Sequence, residues 1–168
     1  MKELTSLDQR ILNYKIEDVF PVIEDFSDYP KWFPKNLQIN LIKSTSEKVG
    51  SVINIKIGVI QFNIELKRIN QNKEIIVHYS GAYEGQGIWY FFDSTNGTKL
   101  MYEIELKIKN PLVRFVSLFI NITSIHSKMM TKIFDGLEDY LNNIYRTNTN
   151  GFNNSNNSQP KIFSITGN

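Results

Sequence analysis

The feature that most constrains this chain is an alternation of apolar and polar residues that recurs through its middle. Leu37, Ile39 and Leu41 alternate with Gln38 and Asn40, and Ile53, Ile55 and Ile57 alternate with Asn54 and Lys56. The pattern continues with Ile60, Phe62, Ile64 and Leu66 against Gln61, Asn63, Glu65 and Lys67. It returns with Leu100, Tyr102, Ile104, Leu106 and Ile108 against Glu103, Glu105 and Lys107. Successive side chains of a strand point to opposite faces, so each run predicts a strand with one dry face, as in an antiparallel sheet covered on one side. Lys73 to Ser80 and Gly87 to Asp93 read as two further strands, and a short one near Leu7 to Leu12 brings the count to about seven. Turns are expected at Gly58, at Asn70-Gln71-Asn72, around Gly81 and at Asn96-Gly97, a strong hairpin signal.

Helical spacing occurs only toward the ends. Ile16, Val19, Phe20 and Ile23 predict a helix near 16–25, which Tyr29-Pro30 to Pro34 converts into a short second turn or helix. After Asn110-Pro111, with proline suited to a first helical position, an apolar stripe runs Phe115, Phe119, Ile122, Met129, Ile133, Leu137, Tyr140 and Ile144. Unbroken, it makes a helix of roughly eight turns. Beyond Arg146 the composition turns to Asn, Ser and Thr, too polar to offset chain entropy. The expected organisation is therefore one domain over 1–146 and a disordered tail over 147–168.

Charge and composition exclude several classes. Among 168 residues, 19 are Lys or Arg and 17 are Asp or Glu, and the basic ones are scattered, so no nucleic-acid partner is implied. With no cysteine, thiolate metal sites, disulfides and a cysteine nucleophile are out. A metal would rest on His78 and His126 with carboxylates, so no metal and no cofactor is expected. The N-terminus shows neither a secretory signal nor a transit peptide, which makes a cytoplasmic location the default expectation. Leu112 to Ile122 is about half of the roughly 20 residues needed to span a bilayer.

The order strand, two short helices, six strands, long helix resembles that of the START-like or Bet v 1-like (SRPBCC) helix-grip superfamily, over about residues 5–145. Val19-Phe20-Pro21-Val22-Ile23-Glu24-Asp25-Phe26-Ser27-Asp28-Tyr29-Pro30-Lys31-Trp32-Phe33-Pro34 is similar to its first-helix signature. Gly87-Ile88-Trp89-Tyr90-Phe91 followed by Gly97-Thr98 resembles its late hairpin. Lys35 stands after Pro34 where the coenzyme Q-binding branch tends to have tryptophan, so the chain looks closer to the polyketide cyclase/dehydrase and lipid-transport branch. The resemblance implies an α+β fold, a curved antiparallel sheet around a long C-terminal helix. It also implies an apolar small-molecule ligand (lipid, isoprenoid or polyketide-like) held between the two, bound and passed on without covalent chemistry. A cyclase or dehydratase acting in the same cavity, and an interaction module with a filled core, are the alternatives.

In that arrangement the inward positions are Phe62 and Ile64, Tyr79, Trp89 and Phe91, and Tyr102 and Ile104 from the strands. The helix adds Phe119, Ile122, His126, Met129, Met130 and Ile133. The same residues would serve a solid core. His126 interrupts the apolar stripe, and a buried imidazole needs a partner: a neighbour, a ligand group or, as a weak candidate, a proton to transfer in catalysis. Gly136, inside the helix, reports either close packing on a neighbour or room for a ligand. The stretch Leu112 to Ile120 is apolar on every side and is expected to meet a second partner: the cavity mouth, a membrane surface touched transiently, or another copy of the chain.

Overall fold

The computed structural model describes residues 3–153, with side-chain surroundings through Tyr145. Strand β1 (Glu3–Leu12) is followed by helices α1 (Ile16–Glu24) and α2 (Tyr29–Trp32), then β2 (Gln38–Lys43), β3 (Val52–Ile57) and β4 (Ile60–Asn70). Strands β5 (Glu74–Gly81), β6 (Tyr83–Ser94) and β7 (Gly97–Ile108) lead to α3 (Pro111–Val116) and α4 (Ile122–Asn153). The seven strands form one sheet in the order β1-β7-β6-β5-β4-β3-β2. Every neighbouring pair is antiparallel. Strands β2 to β7 follow one another as a meander, and α1 and α2 carry the chain from one sheet edge to the other.

The alternation read from sequence sets the register. Ile53 and Ile55, Phe62, Ile64 and Leu66, Ile75, Val77 and Tyr79, and Leu100 to Ile108 at every second residue are buried on one face. Strand β6 begins at Tyr83, earlier than the Gly87 expected, because Glu84-Gly85-Gln86-Gly87 is a strand whose apolar row is interrupted by glycine. Ser94 pairs with Gly97, so the β6–β7 loop is Thr95-Asn96, and of the expected Asn96-Gly97 turn only Gly97 takes positive φ.

Helix α4 lies across the buried face and is fastened to β1 by polar contacts. Arg10 pairs with Asp135 at 2.7 Å and Glu138 at 3.3 Å, Ser6 Oγ lies 3.2 Å from Ser127 Oγ, and the Tyr14 hydroxyl donates to Asn142 at 2.7 Å. The single long helix expected from Pro111 onward is instead two. The Asn110 side chain accepts from the Leu112 and Val113 amides and starts α3; the Ser117 hydroxyl donates to the Arg114 carbonyl where α3 ends. Asn121 Oδ1 then accepts from the Ser124 amide and starts α4. Phe115 and Phe119 therefore leave the stripe. Of the tail expected to be disordered over 147–168, residues 154–168 lie outside the described residues; the α4 backbone is described to Asn153.

Gly136 is resolved in favour of close packing. A Cβ there would stand 2.0 Å from the backbone carbonyl oxygen of Trp32, which no side-chain adjustment relieves. Gly136→Ala is accordingly expected to lower stability by about 1–3 kcal/mol despite alanine's better helix propensity. A urea titration checks this: a lower midpoint with unchanged slope is predicted, and a higher midpoint would show that α4 does not approach α2 so closely.

Candidate functional site

The sheet's concave face is filled unevenly. Toward α1 it is solid: Phe20 lies against Phe91 with ring centroids 4.8 Å apart, and Leu12, Ile23, Leu100, Leu137 and Leu141 are fully buried. Under the first half of α4 the packing stops short and leaves a cavity of about 220 Å³. One water needs about 10–15 Å³, so this space suits a small organic molecule and not an isolated solvent molecule.

Of the inward residues expected from sequence, Phe62, Ile64, Tyr79, Trp89 and Tyr102 line the cavity from the sheet, and Ile122, His126, Met129, Met130 and Ile133 from α4. Three do not. Phe91 and Ile104 are buried but elsewhere, Phe91 against α1. Phe119 is 74% exposed, because the helix break at Ser117–Asn121 turns it away from the sheet. The structure adds Leu4, Ile55, Ile57, Ile60, Val77, Tyr83 and Leu106 from strands, Tyr29, Phe33 and Leu37 from the α2 region, and Ile125 from α4. Tyr29 and Phe33 belong to the first-helix signature, stacked 4.7 Å apart, and carry it from a fold marker to a cavity wall.

The polar groups in this lining are few. The Tyr29 hydroxyl is satisfied by the Ile23 carbonyl at 2.8 Å. The Tyr79 and Tyr102 hydroxyls meet at 2.5 Å, both rings buried. They converge because position 87 is glycine: a Cβ there would lie 2.3 Å from the Tyr102 hydroxyl oxygen and 3.1 Å from the Tyr79 ring. Burial pushes Tyr79 up to about 12 and Tyr102 well above the ordinary tyrosine range, so both stay protonated near neutral pH.

His126 is backed by a residue that sequence reading missed. Strand β1 turns Leu4, Ser6, Asp8, Arg10 and Leu12 inward, a row too polar in its middle to announce itself as buried. Asp8 Oδ2 lies 3.4 Å from His126 Nδ1, with Ser6 Oγ donating to the same oxygen at 2.7 Å. The approach lacks hydrogen-bond geometry, and Nδ1 is buried with no hydrogen-bond partner. Burial pulls the imidazole below its usual ionisation range, against the opposing attraction of the Asp8 carboxylate. His126 is therefore the neutral imidazole at neutral pH. His78 is on the opposite face of the sheet, half-buried, where β5 pairs it with Gln86 of β6 and Glu65 of β4. Among the described residues no group of three or more His, Cys, Asp or Glu is placed to hold a metal ion, and no helix is long and apolar enough to cross a membrane.

With fold and cavity in place, the comparisons with known proteins are consistent in one respect. No family model matches the sequence, and no curated protein matches it. Solved structures do. A START superfamily protein from Mycobacterium smegmatis superposes with TM-score 0.63 at 11% identity, over 84% of this chain and 98% of that one. The di-domain ARO/CYC StfQ from the steffimycin biosynthetic pathway gives 0.65 at 8% identity, over 85% of this chain and 52% of that one. The Aha1 dimer from Colwellia psychrerythraea gives 0.57 at 12% identity, over 84% and 96%. This chain has the α+β helix-grip fold of START-like proteins, as its sequence implied.

The state of His126 yields a pH dependence. Unfolded, the imidazole ionises near 6.5; folded, it holds its proton less tightly, so below that pH the unfolded state takes up more protons and stability falls as pH drops. The loss is expected to begin near 6.5, at no more than about 1.4 kcal/mol per pH unit, and to level off below the folded value. Thermal melts of the native chain and of His126→Gln check it. The variant is predicted to lose part of the slope, and an identical slope would mean that His126 is not held neutral.

Proposed function

We propose that the protein binds an apolar small molecule, of the lipid, isoprenoid or polyketide-like kind, in the cavity between sheet and α4, and passes it to and from membranes. The observation that carries this reading is the cavity itself: a domain that packs tightly around α1 leaves an aromatic and aliphatic chamber open under the first turns of α4. Each methylene group moved from water into such a chamber contributes about 0.8 kcal/mol, which makes desolvation the driving force of binding.

The route in and out is suggested by what surrounds Ile122 and Ile125, which line the cavity while Ile125 is 49% exposed. The preceding residues 111–120 bury only Val113 and Ser117. Leu118 and Phe119 are 71% and 74% exposed, with Leu112 and Phe115 beside them, and Phe115 and Phe119 stack edge to face at 5.4 Å. Exposed Arg114, within this collar, suits anionic headgroups. Both remaining features, an entrance and an apolar collar next to it, serve exchange with a bilayer.

The test is transfer of the neutral probe N-phenyl-naphthylamine between liposomes containing anionic lipid, alongside its binding in solution read by Trp89 fluorescence. Leu118→Ser with Phe119→Ser is expected to leave solution affinity within about twofold while slowing transfer about tenfold or more. No binding in solution by the native chain would defeat the proposal, and equal transfer by the variant would remove the membrane step.

A further inference from the structure

Resting on that reading, the composition of the cavity wall says what kind of apolar molecule it takes. Among the described residues, no Lys, Arg, Asp or Glu lines the cavity. The nearest charge with a stated contact is the Asp8 carboxylate behind His126, which is negative. A carboxylate or phosphate brought into this chamber would be buried with no Lys or Arg in the described lining to pair with it, and burying an unpaired charge is costly. A fully apolar ligand has a different fault. The Tyr79–Tyr102 pair holds two hydroxyl protons, only one of which is used between the two oxygens, and among the described residues neither hydroxyl has a further partner. The second proton has no protein acceptor among the described residues and belongs to a pair on the cavity wall, where a ligand oxygen can accept it. Gly87 keeps this arrangement in place, since any side chain there would occupy the space in which the two rings meet.

We infer that the cavity selects an uncharged ligand with a hydrogen-bond-accepting oxygen, a ketone, ester, quinone or ether carried on an apolar body, and that the paired hydroxyls of Tyr79 and Tyr102 receive that oxygen. The pair acts as a single donor. One tyrosine donates to the other, and the second donates to the ligand, so that each hydroxyl orients its neighbour and a short hydroxyl contact is strengthened by the ligand it holds. Trp89 packs on the Tyr102 ring with centroids 4.1 Å apart and limits its movement.

The experiment compares methyl octyl ketone, decanoate and decane, matched in length, as competitors of N-phenyl-naphthylamine on the full chain at neutral pH. The ketone is expected to bind about fivefold or more tightly than decane and about tenfold or more tightly than decanoate. Tyr79→Phe combined with Tyr102→Phe is expected to bring the ketone down to the level of decane. The infrared carbonyl band of bound ketone provides a reading independent of affinity: it should shift to lower frequency in the native chain and return toward its apolar-solvent position in the variant that carries both substitutions. Decanoate binding as tightly as the ketone overturns neutral selection. Ketone and decane binding alike, or a carbonyl band indifferent to both substitutions, overturns the tyrosine donor. Failure of all three to compete while the neutral probe binds also overturns this inference, whereas failure of the probe itself would instead defeat the proposed function on which it rests.

Discussion

Everything in this fold follows from the need to cover one apolar face of a seven-stranded sheet with a single helix. A helix is about 10–12 Å across with its side chains, much narrower than such a sheet, so it can make close contact along only part of its length. Here α4 is held against α2 at Gly136, where it has no side chain and the Trp32 carbonyl occupies the vacated space. Arg10, held between Asp135 and Glu138, secures the same stretch against β1. From that anchored half toward its N-terminus, α4 carries Ile133, Met130, Met129 and His126 over a face that it no longer reaches, and the cavity is the space between.

The polar groups around that space take their properties from this geometry. Asp8, Ser6 and Ser127 fill the line where α4 meets β1, and His126 sits at its end, close enough to Asp8 to feel its charge and too buried to ionise readily. On the opposite wall, Tyr79 of β5 and Tyr102 of β7 reach each other across β6 because Gly87 yields the position between them. The cavity thus has a neutral polar spot on the sheet and a shielded imidazole on the helix, set in walls of aliphatic and aromatic carbon. Outside, the chain just before α4 breaks, turns apolar side chains such as Leu118 and Phe119 to solvent and begins again at the asparagine cap, immediately before the α4 residues that line the cavity.

Much of this was legible in the sequence, and the limits are physical. Alternation located the strands and gave their inward rows, since a one-sided sheet admits only one phase for residues such as Phe62, Ile64 and Leu66. It failed at β1, whose inward row is Ser6, Asp8 and Arg10: charge pairing across to α4 replaces hydrophobicity there, and periodicity does not register pairing partners distant in sequence. The start of β6 was missed for a related reason, because glycine at 87 is itself the inward residue. The helix stripe was drawn through Phe115 and Phe119 because spacing by threes and fours continues across a break that two side-chain caps impose, at Ser117 and Asn121. Gly136 was ambiguous in sequence for the same reason: a glycine states that space is needed, and only the neighbouring atoms say for what.

The central claim, that the space under α4 is a binding site, is tested most directly by nuclear Overhauser contacts between an unlabelled neutral apolar molecule, such as methyl octyl ketone, and the methyl-labelled protein. The account predicts contacts to the methyls of Val77, Met129, Met130 and Ile133, with none to Leu100 or Leu141 in the solid half of the core. Contacts confined to outward-facing methyls such as Leu7 and Ile11, or no contacts at ligand concentrations that saturate the protein, would contradict it.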